Sequence, residues 1–223
     1  MMEHPSFDAD GVSLTMLPER ALLWRERAML ILADVHFGKA AAFRAGGIPV
    51  PHGTTRANLD AIDALVQQHA VGHIVFLGDF LHARTGRVAG TLSALAQWRA
   101  RNRALALTLV RGNHDHHAGD PPAELDIEIV DEPWRAGPLA FCHHPQTVAG
   151  AFALVGHVHP VYRLSAAGDT LRLPCFVVDG RWAMLPAFGA FTGGYPVQAQ
   201  PGQRIFLAAE DCVLPLPGSI PAR

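Results

Sequence analysis

Short runs of apolar residues recur along this chain, and several of them end in a cluster of polar side chains. The runs at residues 29–33, 73–77, 105–110, 139–141 and 152–155 have the length and character of buried strands. The clusters that follow these runs are rich in histidine, carboxylate and glycine. They are Asp34-Val35-His36, Gly78-Asp79, Gly112-Asn113-His114-Asp115, Cys142-His143-His144 and Gly156-His157-Val158-His159.

Polar clusters at several strand ends predict one shared site, because ligands of α/β proteins bind outside the carboxyl ends of the strands. Asp34 and His36 are two positions apart, as are His157 and His159, so each pair would share one face of a regular strand. Carboxylate, imidazole and amide ligands together suit Mn, Fe or Zn. The candidate ligands are too many for one ion, and Asp79 could bridge two ions about 3.5–4 Å apart, as in enzymes of phosphoryl displacement.

The rest of the pattern predicts helices in the first half of the chain and strands in the second. Residues 54–68, with Thr54 or Thr55 as the cap, and residues 91–101 have helical apolar spacing. A hairpin is predicted at 12–16 and 21–24, and mostly irregular loop at 37–53. Later strands are predicted at 126–130, 138–142, 152–155, 161–165, 170–173, 175–179 and 204–208. The first half therefore follows a βαβαβ pattern and the second a mostly antiparallel sheet.

These elements predict an α/β fold in which two packed mixed β-sheets are flanked by helices. The 223 residues favour one domain over 1–223, with a core at about 12–210 and a loose tail from Leu214. The formal net charge of −2 gives no overall basic footprint, so a nucleic acid would have to be held by local charge. The basic group Arg99, Arg101 and Arg103 is interpreted as a solvated helix end.

The three cysteines, Cys142, Cys175 and Cys212, do not form a disulfide framework, which favours a reducing cytoplasm. Neither a membrane span nor a secretory signal is visible, so we expect a cytoplasmic protein without membrane contact. Cys142 adjoins a candidate ligand, but its place at the end of a strand favours a buried packing thiol over a zinc ligand.

The order DxH, GD, GNH[DE], H and GHxH resembles that of the calcineurin-like metallophosphoesterase superfamily, and every element is present. The resemblance implies a four-layer α-β-β-α sandwich and a dinuclear centre, with His143 rather than His144 at the family position. One metal would be held by Asp34, His36, Asp79 and His159, and the other by Asp79, Asn113, His143 and His157.

The same resemblance implies a catalytic role for the third cluster. His114 matches the histidine that contacts the phosphate and aids the leaving oxygen as a general acid. Asp115 is its neighbour in the motif, and we expect it to orient that imidazole.

Two further segments are similar to the bacterial ligase-associated DNA damage response metallophosphoesterases. They are Phe37-Gly38-Lys39-Ala40, continued by residues 44–51, and residues 185–194. This likeness covers about residues 12–210. It implies a phosphodiesterase and single-strand DNA endonuclease that uses manganese, with Fe or Zn as alternatives, and acts in DNA repair. It also implies functional association with a DNA ligase, a helicase and a nuclease.

Two other functions stay open at the level of sequence. The fold does not fix the substrate, so a nucleotide or lipid-linked pyrophosphate hydrolase is an alternative. A non-catalytic scaffold for repair proteins is the other, although no ligand position is missing.

Several polar residues near the clusters are candidate substrate contacts. Lys39 could grip a phosphate or be an ordinary surface lysine, and Arg44 and His52 in the same loop are equally ambiguous. His82 and Arg84, just beyond Asp79, could line the cleft. His116 and His117 match no family ligand and are interpreted as solvated.

Overall fold

Sixteen strands and four α-helices occur in the residues that this computed structural model describes, 4–166 and 169–217. The helices are α1 (Lys39–Ala45), α2 (Thr54–His69), α3 (Ala89–Arg101) and α4 (Asn113–Ala118). The strands are β1 (Ser6–Ala9), β2 (Val12–Leu17), β3 (Ala21–Trp24), β4 (Met29–Ala33), β5 (His73–Leu77), β6 (Ala106–Val110), β7 (Glu128–Val130), β8 (Trp134–Ala136), β9 (Leu139–Phe141), β10 (Phe152–Val155), β11 (Pro160–Ala166), β12 (Asp169–Val178), β13 (Trp182–Met184), β14 (Tyr195–Pro196), β15 (Arg204–Ala208) and β16 (Val213–Pro215).

The first sheet has seven strands in the order β1-β2-β3-β4-β5-β6-β7. Strands β1 to β4 are antiparallel neighbours, whereas β4 to β7 run parallel. The register sets Ala33 beside Leu77 and Leu77 beside Val110. The carboxyl ends of β4, β5 and β6 therefore lie at one edge of the sheet, and the first three polar clusters begin there.

The second sheet is mixed and follows the order β14-β11-β12-β13-β10-β9-β8, with β15 and β16 joined through β12. Strand β10 runs parallel to β9 and β13, so the sheet is less antiparallel than the sequence predicts. Strand β12 combines the two strands predicted at 170–173 and 175–179. Phe141 lies beside Leu154, and the last two polar clusters therefore leave the sheet at one edge.

Alternating side chains on the strands build three apolar layers. Ile31 and Val75 of the first sheet meet Phe141 and Leu154 of the second between the sheets. The neighbouring residues, such as Phe76, point the other way and pack against α2 and α3. The two packed mixed sheets with helices are confirmed. On the outer face of the second sheet, side chains of loops and of the β11–β12 hairpin pack against the strands, and the four described α-helices, which lie within residues 39–118, contribute none of them.

Three local predictions differ from the structure. The segment at 37–53 is mostly irregular, as expected, but it also contains α1, because Lys39–Ala45 (KAAAFRA) is rich in alanine, the best helix former, between flanking glycines. Helix α2 begins after Gly53, so neither threonine is its N-cap; Thr55 Oγ1 instead accepts the Gly38 N–H at 3.3 Å. The tail also differs from expectation, since β16 extends the sheet beyond Leu214. Residues 218–223 of that tail lie outside the described residues.

The described cysteines are free thiols, and two of them are fully buried. Burial raises the pKa of Cys142 to about 12, and its side chain packs in the apolar layer of Val155 and Cys175. The packing interpretation of Cys142 is thus confirmed. Within residues 4–166 and 169–217, no helix is long and apolar enough to cross a membrane.

Arg99 is buried, which corrects its interpretation as a solvated residue. Its guanidinium donates to the carbonyl oxygens of Asn102 (2.7 Å) and Leu105 (2.9 Å) and to Asp126 Oδ2 (3.1 Å). Buried carbonyl groups need partners, so this arginine ties the end of α3 to the loop before β6.

We expect Arg99→Ala to lower the free energy of unfolding by about 2–4 kcal/mol, because two carbonyl groups lose their donor. The control is Arg101→Ala, which removes a mostly exposed side chain paired with Asp63 at 3.3 Å and should cost less than about 1 kcal/mol. Urea denaturation measures both, and equal midpoints for the two variants would contradict the structural role of Arg99.

Candidate dinuclear metal site

The edges of the two sheets bring four predicted ligands into one group. Ligand atoms of Asp34, His36, Asp79 and His159 all lie within 4.8 Å of one another. His159 Nε2 is 3.5 Å from Asp34 Oδ1 and 3.4 Å from His36 Nε2. His36 Nε2 is 3.6 Å from Asp79 Oδ2. Three of the four residues follow strands of the first sheet, and His159 comes from the second.

The other predicted ligands meet around His143. Its Nε2 lies 2.8 Å from Asn113 Oδ1, 3.0 Å from His157 Nδ1 and 3.5 Å from Asp79 Oδ1. Asp79 therefore lies between the two groups, with one oxygen towards His36 and the other towards His143. This position suits a carboxylate that bridges two cations.

The backbone at these ligands departs from the regular strand that the sequence suggested. Strands β4 and β10 end before the Asp34 and His157 clusters, so the argument from a shared strand face was wrong, although the side chains do converge. A left-handed backbone is uncommon for residues other than glycine and concentrates at functional sites. The ligands with positive φ are Asp34 (54°), His36 (47°), Asp79 (51°), His157 (70°) and His159 (53°).

Two glycines make room for the ligands. A Cβ at Gly78 would lie 2.1 Å from His143 Nδ1, and a Cβ at Gly112 would lie 2.4 Å from Asp79 Oδ1. Gly78 also has a φ of 72°. The Gly-Asp and Gly-Asn pairs of the sequence are thus needed for close packing as well as for the turn.

The charges of the site fit a cation. Asp34 Oδ1 is buried and accepts no hydrogen bond from the described residues, and a buried carboxylate oxygen without a partner is costly. Burial, followed by the charge of Lys39 and by neighbouring imidazoles, lowers the pKa of His36 far below its usual range. His36 is therefore neutral, and a neutral imidazole is the form that binds a metal.

Backbone carbonyl groups fix the orientation of two of the imidazoles. His143 Nδ1 is 3.1 Å from the Leu77 carbonyl oxygen, and His159 Nδ1 is 3.0 Å from that of Thr192. Since a carbonyl oxygen only accepts, each Nδ1 carries the proton, and Nε2 is left free towards the site. Such outer contacts are typical of metal-binding histidines.

The His114 imidazole is also oriented by a backbone carbonyl group, and not by Asp115 as the sequence predicted. Its Nδ1 lies 2.6 Å from the His82 carbonyl oxygen, and its ring stacks on that of His82.

Asp115 instead accepts N–H groups of Gly112 (2.9 Å), Phe80 (3.0 Å) and Leu81 (3.3 Å). Burial raises the pKa of Asp115 to about 6, although these hydrogen bonds lower it. Asp115 thus connects the ends of β5 and β6, and among its described contacts there is none with the His114 ring.

Glu132 is a residue of the site that the sequence did not single out, and His144, which the sequence placed second to His143, also lies in it. Glu132 Oε2 accepts the N–H groups of His143 (2.7 Å) and His144 (2.9 Å), and Glu132 Oε1 contacts His144 Nδ1. His144 also lies within ligand distance of His143 and His157. No motif marks Glu132, because its role depends on a contact across 11 and 12 residues of chain.

The predicted substrate contacts divide into two pairs. Lys39 and His82 lie near the predicted metal ligands. His82 Nδ1 is 3.4 Å from His36 Nδ1. Burial lowers the pKa of Lys39, although the charges of Asp79 and Asp34 act in the opposite direction.

The two arginines are bound to backbone instead. Arg44 donates to the carbonyl oxygens of Val50 and Pro51, and Arg84 donates to that of His117. Exposed His116 and His117 lie on α4, and His52 is exposed in the loop before α2.

The calcineurin-like phosphoesterase family is matched over residues 28–173. The crystal structure of the nuclease MPE from Pseudomonas putida is similar at 44% identity, with a TM-score of 0.86, over 96% of this chain and 100% of that one. Yfce, a phosphoesterase from E. coli, shares 14% identity over 80% of this chain and 86% of its own, and its TM-score of 0.40 is too low to bear on function. No curated protein matches significantly.

The match to the family covers the run of polar clusters, and the same clusters form the histidine- and carboxylate-rich site at the edge of the sheets. The chain therefore belongs to the calcineurin-like phosphoesterase family, as a metallophosphoesterase similar to a bacterial nuclease.

Proposed function

We propose that this metal-dependent phosphoesterase is a manganese-dependent endonuclease that cleaves single-stranded DNA during repair. The observation that carries the proposal is the position of Asp79 between two groups of ligands, 3.6 Å from His36 on one side and 3.5 Å from His143 on the other. Paired cations around one carboxylate are suited to the displacement of a phosphoester oxygen.

The residues proposed to hold the metals are those of the two groups of ligands described above, one group for each metal. Asp34 Oδ1 has no hydrogen-bond partner among the described residues. Nε2 of His143 and Nε2 of His159 are unprotonated, so each has a lone pair that faces the site. A bound pair of divalent cations supplies Lewis acidity, which activates water near neutral pH and neutralises charge on the phosphoryl oxygens. One metal is assigned to Asp34, His36, Asp79 and His159, and the other to Asp79, Asn113, His143 and His157.

His114 is proposed as the residue that protonates the leaving oxygen. Its Nδ1–H is held by the His82 carbonyl oxygen, so Nε2 is the atom that can carry a further proton. That Nε2 lies 4.0 Å from Asp79 Oδ2 and thus beside the metal ligands. The side chain is 37% exposed, which leaves it accessible to a bound phosphodiester.

Manganese is proposed because the ligands are carboxylate and amide oxygens with imidazole nitrogens. Fe and Zn accept the same ligands and are the alternatives. Cys142 is packed in an apolar layer, so no thiolate from this position favours zinc.

The choice of single-stranded DNA rests on the resemblance to the ligase-associated repair proteins and on the likeness to a nuclease. We place the enzyme in the cytoplasm as one domain, acting alongside a DNA ligase, a helicase and a nuclease. Nucleotide or lipid-linked pyrophosphate hydrolysis is the enzymatic alternative. A profile of single-stranded DNA, dinucleotides and lipid pyrophosphates, each with Mn²⁺, distinguishes the two.

We expect Asp79→Ala to reduce turnover of bis-p-nitrophenyl phosphate and of single-stranded DNA at least about a hundredfold, because both ligand groups lose a member. Metal analysis should show less than the two Mn²⁺ ions expected for the natural chain. The control is Asp60→Ala, which removes an exposed carboxylate on α2. Retained activity in Asp79→Ala would refute the site, and a manganese-loaded natural enzyme that leaves DNA intact would refute the proposed substrate.

We expect His114→Ala to slow DNA cleavage by about 100- to 10,000-fold, the usual contribution of a general acid. Hydrolysis of bis-p-nitrophenyl phosphate should fall much less, because p-nitrophenolate leaves without needing a proton. Steady-state rates on both substrates measure the difference, with His116→Ala, an exposed neighbour on α4, as control. An equal loss on both substrates would argue against proton donation by His114.

A further inference from the structure

The first turns of α2 and α3 meet at one cavity, which contains none of the proposed metal ligands. It is lined by residues 52–56 at the start of α2, by Gly90 and Thr91 at the start of α3, and by Ala41 and Arg44 of α1. Its volume is about 390 Å³, within the range of roughly 300–1,000 Å³ that is usual for small-molecule sites. The cavity therefore has room for a small ligand between three helices.

Both helices begin without a side-chain cap. The N-cap residues are Gly53 for α2 and Val88 for α3, and neither forms a side-chain cap hydrogen bond. The first N–H groups of a helix have no acceptor within the helix. The N–H groups of residues 54–56 and 89–91 find no other acceptor in the described part of the chain. Three N–H groups at the start of each helix are thus left for solvent or a ligand.

The charges around the cavity are positive. Aligned peptide dipoles place partial positive charge at the start of a helix, and neither helix has an acidic residue in its first turn. No Asp or Glu is among the described residues that line the cavity. The Arg56 side chain is exposed and has neither a hydrogen bond nor an ion pair within residues 4–166 and 169–217. Arg44 uses Nη1 for two carbonyl oxygens and keeps its other N–H groups.

A buried hydroxyl without a partner points into the same cavity. Thr91 is the third residue of α3 and only 5% exposed, yet its hydroxyl forms no hydrogen bond with the described residues. Burial of a hydroxyl without a hydrogen bond is costly. Among the described side chains, the fully covered polar atom without a partner belongs to Asp34. The Thr91 hydroxyl is therefore not fully covered, and the space it faces is the cavity that Thr91 lines.

Helix N-termini, guanidinium groups and a free hydroxyl together match the chemistry of a phosphate group. Phosphate oxygens accept several hydrogen bonds at once, and their negative charge is favoured at the start of a helix and beside arginine. A metal cation is disfavoured, because no carboxylate lines the described cavity. We propose that this cavity, here called the two-helix cavity, binds the phosphate group of a ligand. The proposal goes beyond the proposed function, since no metal ligand takes part in it.

Helix α1 lies between the two-helix cavity and the metal site. It begins at Lys39, three residues after His36, and its Ala41 and Arg44 line the cavity. Thr55 at the start of α2 accepts the Gly38 N–H and so joins α2 to the start of α1. The phosphate group belongs either to a free small molecule or to a remote part of the substrate that is cut at the metal site. Both present the same oxygens to the cavity.

The test is a titration of the full chain with inorganic phosphate at constant ionic strength, followed by amide NMR with diamagnetic Mg²⁺ in place of Mn²⁺. We expect the amide signals of residues 54–56 and 89–91 to shift with one dissociation constant. Arg56→Gln and Thr91→Val should each weaken this binding at least about tenfold, because each removes a donor to a charged group. The control is Arg103→Gln, which removes an exposed arginine beyond the other end of α3 and should leave the binding unchanged.

Gly90→Asp separates loss of binding from loss of structure. A Cβ at Gly90 would meet no atom within 4 Å, so a side chain fits there. A carboxylate in the first turn stabilises a helix, and the variant should raise Tm. The same carboxylate repels a phosphate, so the affinity for inorganic phosphate should fall at least about tenfold. Gly90→Ala adds no charge and should keep the natural affinity.

Activity of the manganese-loaded Gly90→Asp variant identifies the source of the phosphate group. A raised KM for a single-stranded oligonucleotide, with an unchanged KM for bis-p-nitrophenyl phosphate, supports a cavity that holds a remote phosphate of the substrate. Unchanged KM values for both, with phosphate binding lost, support a cavity that takes a free phosphorylated molecule. Amide signals of residues 54–56 and 89–91 that do not move in the natural chain overturn the proposal, as does an unchanged phosphate affinity in Gly90→Asp. Failure of the natural enzyme to cut DNA would refute the proposed function and leave the phosphate titration unaffected.

Discussion

The geometry of the site depends on two carboxylates, each of which accepts a backbone N–H group and also faces the proposed metal position. Asp34 Oδ2 accepts the N–H of His157 at 2.9 Å and so joins the end of β4 to the end of β10 in the other sheet. Asp79 Oδ1 accepts the N–H of His114 at 2.9 Å and joins β5 to the start of α4. Because each carboxylate is fixed by a backbone donor, its position relative to the imidazoles is set before any ligand arrives, as preorganised sites require.

The arrangement of the candidate metal site costs the folded state free energy. Five ligands adopt the left-handed backbone, at roughly 1–2 kcal/mol each, and Asp34 Oδ1 is buried without a hydrogen bond from the described residues. The apolar layers on either side of the first sheet hold the strand ends in place and impose this arrangement. A cation held by the proposed ligands would offset part of this cost, because Asp34 Oδ1 would gain a partner and the facing lone pairs would be separated.

Much of the fold followed from the sequence, because the apolar runs and the polar clusters after them have a direct physical meaning. Helix α1 was missed because the glycines and prolines of residues 37–53 outweighed the helix propensity of its alanines in the prediction. The roles of Arg99, Asp115 and Glu132 could not be predicted from the sequence. Phe80, which Asp115 binds, lies 35 residues away, and Glu132 binds backbone groups 11 and 12 residues away. The carbonyl partners of Arg99 are near in sequence, but they face its guanidinium only because of how the chain turns after α3. No local pattern encodes such partners.

The hydrogen bond between Asp34 and His157 spans 123 residues of chain. During synthesis the residues of the first sheet leave the ribosome before His157 and His159, so Asp34 has no such backbone donor until the second sheet has been made. Long-range contacts of this kind close late, since the entropy of the intervening chain must be lost first. Neither half of the chain contains all of the proposed ligands, so on this assignment hydrolytic competence would coincide with the docking of the second sheet on the first. An unfinished chain would then be an inactive one.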